Sequence, residues 1–150
     1  MPNHFHFLIR PNEKGLAERD SFGGKSIQEL VYRIGILLSS YSQAINKQNG
    51  TTGSLFQQKT KAKILSEESN ASRISYFEKC FHYIHQNPMS AKKVNDLEDW
   101  PYSSYPDYIG IRNGTICKKE LFYSLSGMSV EEIIERTNEK IELSVLDKLY

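Results

Sequence analysis

The chain has 150 residues, 39% of them hydrophobic, and carries 19 basic and 18 acidic side chains for a formal net charge of +1. Its length predicts one domain with its own core, and the balanced charge excludes a globally basic nucleic-acid-binding protein, so DNA binding would depend on local charge. The apolar runs are too short to cross a bilayer and the chain does not begin with a secretion signal, which predicts a soluble cytoplasmic protein. The two distant cysteines, Cys80 and Cys117, are expected to be reduced.

The first predicted element is a short strand over residues 4–9, where aromatic and β-branched side chains alternate with histidines. In a strand, His4 and His6 share one face, because side chains alternate between the two faces with a period of two residues. Two neighbouring imidazoles can hold one metal ion, although such a histidine pair is more often only packed or solvated.

A long helix is the most regular element in the chain. Residues 12–25 precede it and are predicted to form a mobile loop, because glycines and charged residues dominate them. Ser26 and Glu29 have the spacing of a capping box, and apolar residues then recur every three or four positions. These apolar residues are Ile27, Leu30, Ile34, Leu37, Tyr41 and Ile45. The helix is expected to end at Asn49 and Gly50.

Residues 55–65 are predicted to form a second strand. In that strand Lys59, Lys61 and Lys63 point to the same side. Lysines in this arrangement ordinarily form a solvated face, but in a DNA-cutting domain they would contact phosphates.

A second helix is predicted from Ser72 to Gln86, with Pro88 forcing its end at Asn87. Its apolar stripe consists of Ile74, Phe77, Phe81 and Ile84. Tyr83 and Asn87 are four residues apart and lie together beside this stripe. From periodicity alone, Tyr83 is most simply a packing residue whose hydroxyl reaches the surface.

The remaining chain is predicted to form an irregular aromatic segment followed by two helices. The aromatic side chains could stack on unpaired bases, but their pattern favours anchoring of the carboxy-terminal arm. They are Trp100, Tyr102, Tyr105 and Tyr108. The two helices are expected at 118–125 and from Ser129 to about Tyr150, the second opened by Ser129 and Glu132.

Four blocks of sequence, in this order, carry a resemblance to a known family. They are Met1–Ile9 (MPNHFHFLI), Gly53–Gln57 (GSLFQ), Tyr83–Pro88 (YIHQNP) and Trp100–Tyr105 (WPYSSY). Together they resemble the REP-associated tyrosine transposases, relatives of the single-tyrosine transposases of the insertion-sequence 200/605 class. The resemblance implies an α+β protein with the HUH endonuclease fold, a ferredoxin-like antiparallel sheet with flanking helices, over residues 1–110. Residues 111–150 would be a helical carboxy-terminal extension.

The resemblance also implies a set of functional residues. The histidine pair of the family corresponds to His4 and His6 as metal ligands, and its nucleophile corresponds to Tyr83. The third ligand falls on Asn87, with Gln86 as the alternative because the last helical turn before Pro88 is expected to be distorted. A tyrosine hydroxyl, with an ordinary pKa near 10, needs a metal or a base to become a good nucleophile at neutral pH.

The expected cofactor is a divalent ion, Mg²⁺ or Mn²⁺, because these ions suit phosphate oxygens; two histidines also leave Co²⁺ or Zn²⁺ possible. His82 and His85 flank the nucleophile and could orient the phosphate or accept a proton. Histidines on a helix surface are, however, usually solvated. For that reason they are only auxiliary candidates.

The implied activity is a transposase-like cleavage and joining of single-stranded or hairpin DNA through a 5′-phosphotyrosine. The alternative is a truncated or domesticated DNA-binding module that recognises a repeat hairpin without cutting it. Family members carry a strand, a helix and another strand before the histidine strand, whereas this chain opens at the motif. We therefore expect an amino-terminally truncated sheet whose exposed edge favours a homodimer.

Overall fold

The computed structural model describes residues 5–20, 23–56, 62–65 and 72–139. The chain divides between Thr60 and Lys61 into two compact units. The helices that follow residue 110 belong to the same compact unit as residues 61–110, and the domain boundary at residue 110 stays a prediction.

Within residues 2–60, the described elements are two helices and a small antiparallel sheet. Helix α1 spans Glu13–Leu16, strands β1 and β2 span Glu18–Asp20 and Ser26–Gln28, and helix α2 spans Glu29–Asn49. Strands β1 and β2 pair so that Arg19 lies opposite Ile27. The predicted mobile loop is therefore wrong as a description of residues 12–25, since its described part includes a helix and a paired strand.

The beginning of α2 also differs from the prediction. Ser26 belongs to β2, and its hydroxyl donates to Glu18 at 2.9 Å instead of capping the helix. Glu29 accepts hydrogen bonds from Arg19 at 3.0 Å and Arg33 at 2.5 Å, so the capping-box prediction was wrong. The predicted end is confirmed, because Gly50 closes α2 in a left-handed conformation with φ of 63°.

Neither of the two predicted long strands is formed by the residues that the structure describes. Residues 5–10 are irregular, as are residues 62–65 and the turn at Leu55 and Phe56; residues 57–61 lie outside the described part. A strand needs a hydrogen-bonded partner, and β1 and β2 pair only with each other. Phe5 packs instead against the rings of Phe7 and Phe56, with centroids 5.0 and 5.4 Å away.

Within residues 61–150, helices surround one aromatic core. Helix α3 spans Ser72–Ser90, a 3-10 helix spans Leu97–Asp99, α4 spans Tyr105–Tyr108, α5 spans Lys119–Ser126 and α6 spans Val130–Asn138. The core contains Phe81, Leu97, Tyr105, Tyr108, Phe122, Met128 and Ile133. Phe81 stacks on Phe122 with ring centroids 3.9 Å apart and meets Tyr108 edge-on at 4.8 Å.

Helix α3 is longer than the sequence predicts. Pro88 lies inside its last turn, and its carbonyl accepts a hydrogen bond from the Lys93 amide at 2.9 Å. Lys92 adopts a left-handed conformation with φ of 55° and donates to the Met89 carbonyl at 2.8 Å. Proline has no N–H to donate to the preceding turn. The carbonyls of Pro88 and Met89 nevertheless accept hydrogen bonds from later amides, so the helix continues past Pro88 before it ends.

The capping box that opens α6 is confirmed. The Ser129 hydroxyl accepts from the Glu132 amide at 3.2 Å, and the Glu132 carboxylate accepts from the Ser129 amide at 2.8 Å. The helix ends at Asn138, with Glu139 in an extended conformation, so it does not continue unbroken to Tyr150 as predicted. Residues 140–150 lie outside the described part of the chain.

The part of the chain that the structure describes is thus a mixed α+β protein with six α-helices and one two-stranded antiparallel sheet. Neither Cys80 nor Cys117 forms a disulfide, as predicted. No helix within the described ranges is long and apolar enough to cross a membrane.

Candidate functional site

Tyr83 and Asn87 occupy the same face of α3, one helical turn apart. Because α3 is helical from Ser72 to Ser90, the four-residue spacing puts their side chains next to each other along the helix axis. Both residues are half-buried, whereas the polar side chains between them and around them are mostly buried. The predicted common face of Tyr83 and Asn87 is therefore confirmed, while their roles as nucleophile and ligand stay predictions.

The position of Tyr83 is fixed because α3 is held by packing on several sides. Tyr76 and Cys80 are buried about two turns and one turn before it, and Phe81 is buried two residues before it. The ring of Phe81 contacts His85 on the same helix, with centroids 4.3 Å apart. A side chain on such a helix has little backbone freedom, which suits a group that must meet a substrate in one orientation.

His82 is buried against α6 and is not solvated, contrary to the expectation from sequence. Its Nδ1 lies 2.7 Å from the hydroxyl of Thr137, a residue with no exposed surface. Burial, together with the positive charge of Arg136, lowers the pKa of His82 from 6.5 to about 4. His82 is therefore neutral at physiological pH and is engaged with the carboxy-terminal helix.

His85 is buried on a neighbouring side of α3, which also contradicts the expected solvated position. Its Nε2 lies 2.8 Å from the Ser104 hydroxyl. Burial and the nearby His82 lower the pKa of His85 to about 3. Both histidines join α3 to elements that follow it in the chain.

Gln86, the alternative metal ligand, is also occupied by α6. Its Nε2 donates to the carbonyls of Thr137 and Glu139 at 2.6 and 2.5 Å, which satisfies backbone groups at the end of that helix. Sequence reasoning missed this role, because the side chain that caps α6 comes from a helix some fifty positions earlier. The capping box at Ser129 predicts where α6 begins but gives no information about this long-range cap.

The remaining predicted site residues are divided between the two units and the undescribed positions. His6 is half-buried within residues 2–60, while His4, Lys59 and Lys61 lie outside the described residues. Lys63 donates to the Tyr76 hydroxyl at 3.0 Å and lies 4.4 Å from the centre of its ring, so it is attached to α3. The convergence of His4, His6 and Asn87 on one ion stays a prediction.

The donor set can be compared with what a metal ion requires. Within the described residues, no group of three or more histidine, cysteine, aspartate or glutamate side chains is arranged to hold a metal ion. The predicted set is of a different kind: two imidazoles, of which only that of His6 is described, and the amide oxygen of Asn87. These are neutral donors that suit a divalent ion and leave it its full charge.

The aromatic segment that follows α3 contains both buried tyrosines, which pack in the core, and an exposed tyrosine. Tyr105 and Tyr108 are buried in the core, which confirms the predicted anchoring. Burial raises the pKa of the Tyr108 hydroxyl well above its ordinary value, so it remains protonated. Tyr102, by contrast, is 85% exposed.

Comparison with known proteins adds no assignment. No protein-family model, no curated protein and no solved structure matches this chain. Its function is therefore inferred from its own motifs and side-chain geometry.

Proposed function

We propose that the protein is a metal-dependent, single-stranded-DNA endonuclease and strand transferase of the tyrosine HUH type, with Tyr83 as its nucleophile. The observation that carries the proposal is the pairing of Tyr83 with Asn87 on one half-buried face of α3. The neighbouring polar residues His82, His85 and Gln86 are committed to contacts with other elements. We also propose that the protein has the antiparallel sheet of the HUH endonuclease fold.

In the proposed reaction, the Tyr83 Oη attacks a phosphorus atom of single-stranded DNA. The bond between phosphorus and the 3′-oxygen breaks, and that oxygen leaves as a 3′-hydroxyl after taking up a proton from solvent, which receives the proton that the Tyr83 hydroxyl loses. The 5′-phosphate remains esterified to Tyr83, which conserves the bond energy for a later attack by another 3′-hydroxyl. Joining therefore needs no nucleotide cofactor.

His4, His6 and Asn87 are the proposed ligands of the divalent ion, Mg²⁺ or Mn²⁺. When bound, the ion supplies positive charge that polarises the scissile phosphate and stabilises charge developing during attack. Asn87 would bring its amide oxygen to the ion from the turn after Tyr83. Lys59, Lys61 and Lys63 are proposed to contact phosphates of the same strand.

The auxiliary roles of His82, His85 and Gln86 remain predictions. A proton acceptor for Tyr83 needs a free ring nitrogen close to its hydroxyl. His82 uses only Nδ1 in its contact with Thr137 and His85 only Nε2 in its contact with Ser104, and their second ring nitrogens are buried, which favours a packing role for both histidines. We therefore assign them to holding α3 and leave the chemistry to Tyr83 and the metal ligands.

The test is covalent trapping. The full chain is incubated with labelled single-stranded oligonucleotides and Mn²⁺, and a denaturing gel detects the protein–DNA adduct. Tyr83→Phe should abolish the adduct while binding stays within a few-fold, because only the nucleophilic oxygen is lost. Tyr102→Phe is the matched control and should keep the adduct, because it removes a hydroxyl that is not the proposed nucleophile and retains the exposed ring.

Each outcome has a distinct meaning. An adduct that persists in Tyr83→Phe would contradict the assigned nucleophile, with Tyr76 or Tyr102 the next candidates. Wild-type protein that binds single strands without ever forming an adduct would favour the alternative function, a hairpin-binding module that does not cut. Protein that neither binds nor cuts single-stranded DNA would contradict both functions.

We also propose that the protein forms a homodimer. Within residues 5–41 several large apolar side chains are exposed: Phe7, Leu8, Ile9, Leu16, Val31, Tyr32, Ile36, Leu37 and Tyr41. A contiguous apolar surface usually marks an interaction site, and we propose that these side chains contribute to one. Light scattering at micromolar concentration should give twice the 17.3 kDa chain mass, and a stable monomer would contradict the dimer.

A further inference from the structure

Tyr102 lies at the tip of a tight turn that presents its ring to solvent. The Ser103 amide donates to the Trp100 carbonyl at 3.0 Å and closes the turn around Pro101 and Tyr102. Pro101 restricts the backbone at the first central position of the turn. The ring of Trp100 meets that of Tyr102 edge-on, with centroids 5.5 Å apart. The turn therefore carries two contacting aromatic rings, one half-buried and one exposed.

A single guanidinium group fixes this turn from the outside. Arg112 donates through Nη1 to the Pro101 carbonyl at 3.0 Å and through Nη2 to the Ser103 carbonyl. The carbonyls on both sides of the exposed ring are thus bound by one side chain. The same guanidinium binds the carboxylate of Asp107 through Nε at 2.9 Å and Nη2 at 2.7 Å.

Asp107 connects the turn to the core. Its side chain is buried, and the hydrogen bond from Arg112 holds the pKa of its carboxyl below the ordinary value. The Gly114 amide donates to the same carboxylate at 2.7 Å, and a Cβ at Gly114 would lie only 2.8 Å from it. The contacts of Asp107 and Arg112 therefore immobilise the backbone that carries Tyr102.

A ligand that stacks on an exposed ring loses little conformational entropy in the protein when the backbone that carries the ring is already immobilised. Tyr102 gains little stability from burial, because most of its surface remains in water. Its pre-set position, however, reduces the conformational freedom lost when a flat ligand stacks on it. We propose that the turn formed by Trp100 and Tyr102 is a stacking site for an unpaired base of the single-stranded DNA. This inference rests on the proposed function.

The charges next to the turn fit a nucleic acid strand. Arg112 is partly exposed and its charge is balanced by Asp107. Lys119 donates to the Asn113 side chain at 3.3 Å and is a second cation that acts on Asp107, so two cations share this one carboxylate and one positive charge is in excess. With a base stacked on Tyr102, the adjoining phosphate is expected on the side of Lys119. The acidic 3-10 helix, Leu97–Asp99, precedes Trp100 and would disfavour phosphates on its own side.

The test uses the fluorescence of Trp100, the single tryptophan in the chain. The full chain with Tyr83→Phe, which cannot form the proposed adduct, is titrated with a single-stranded oligonucleotide of mixed sequence and with the matching duplex. Fluorescence anisotropy of a labelled oligonucleotide gives the affinity, and the change in Trp100 emission reports on the turn. The single strand should alter the Trp100 emission more than the duplex, because the base faces in a duplex are already stacked.

Three further variants separate stacking from other contributions. Tyr102→Ala should weaken single-strand binding roughly 5- to 100-fold, the range expected for one stacked base. Tyr102→Phe should keep the affinity within about twofold, since it retains the ring. Ile116→Ala is the control for loss of an exposed apolar side chain and should leave binding unchanged, because Ile116 is also largely exposed. All variants should melt at the same temperature.

The outcomes distinguish this inference from the function on which it depends. Single-strand binding that is unchanged in Tyr102→Ala, with no response from Trp100, would overturn the stacking site and leave the proposed function intact. Equal weakening of single-strand and duplex binding would also overturn it, because stacking requires an unpaired base. Absence of any single-strand binding would overturn both.

Discussion

The two compact units differ in what they do with their apolar side chains. Within residues 61–150, Phe81 and Phe122 stack in a core that also contains the fully buried Ile133. Among the described residues 5–56 no side chain is buried, and Leu37 of α2 is 55% exposed. Yet α2 and α3 are both long, regular helices. A helix thus forms from local signals, whereas a core also requires a complementary surface from another element.

This difference bears on the proposed site. Tyr83 and Asn87 belong to the well-packed unit, where several elements hold α3. His6 belongs to the unit in which none of the described residues is buried, in a segment that is irregular from Phe5 to Arg10. Tyr83, the proposed nucleophile, thus lies on a firmly packed helix, whereas His6, a proposed metal ligand, lies in a less tightly packed part of the chain.

The largest expected effect comes from removing one core side chain from the packed unit. Ile133→Ala should lower the free energy of unfolding by about 2–5 kcal/mol, because it leaves a cavity among buried side chains. Leu37→Ala in α2 should cost less than about 1 kcal/mol when measured at a protein concentration at which the proposed dimer is dissociated, since the side chain is then half in water. Denaturant unfolding followed by circular dichroism measures both. Equal costs would contradict the contrast between the two units.

Sequence patterns predicted those elements whose signals are local. The three- and four-residue repeat and Gly50 gave α2 its type and its end, and the capping box of Ser129 and Glu132 gave the beginning of α6. The alternating pattern at residues 4–9 predicted a strand that did not form in the described part, because pairing depends on a partner elsewhere in the chain. The prediction that Pro88 ends its helix at Asn87 was wrong, because a helix tolerates a proline in its last turn when the carbonyls that follow are hydrogen-bonded.

The candidate site was predictable only in part. Helix periodicity alone gives the common face of Tyr83 and Asn87. It does not give the burial of His82, whose partner Thr137 lies 55 residues later. Nor does it give the two carbonyls that Gln86 caps at the end of α6. These contacts depend on how α6 packs against α3, which is a tertiary property that a local pattern does not encode.

Lowering the pH is expected to reduce the free energy of unfolding by an intermediate amount, through two buried histidines within residues 61–150. Burial lowers the pKa of His82 to about 4 and that of His85 to about 3, whereas both titrate near 6.5 when unfolded. Below pH 6.5 the unfolded chain therefore binds protons that the folded chain does not, so stability is full above 6.5 and falls as the pH decreases. Each histidine should cost on the order of 2 kcal/mol between pH 6.5 and 5, measured by urea unfolding.

The control for this pH effect is a variant in which both histidines are replaced by neutral amide side chains. His82→Asn keeps a nitrogen near the position that contacts Thr137, and His85→Gln keeps one near Ser104. The double variant should have a flatter dependence of stability on pH between 6.5 and 5. A slope as steep as that of the wild-type protein would mean that other groups cause the acid sensitivity.

The smallest expected change in the free energy of unfolding comes from substitutions at the ends of the two long helices. Helix α2 closes with Gly50 at φ of 63°, whereas α3 closes with Lys92 at φ of 55°. Glycine adopts this left-handed conformation without steric cost, but a lysine Cβ crowds the following carbonyl. Lys92→Gly should therefore raise the free energy of unfolding by up to about 1 kcal/mol, and Gly50→Ala should lower it by a similar amount. Lys93→Gly removes the same charge one residue later, without a left-handed backbone to relieve, and should lower stability instead. If Lys92→Gly also lowered stability in denaturant unfolding, contacts of the Lys92 side chain would outweigh its backbone strain.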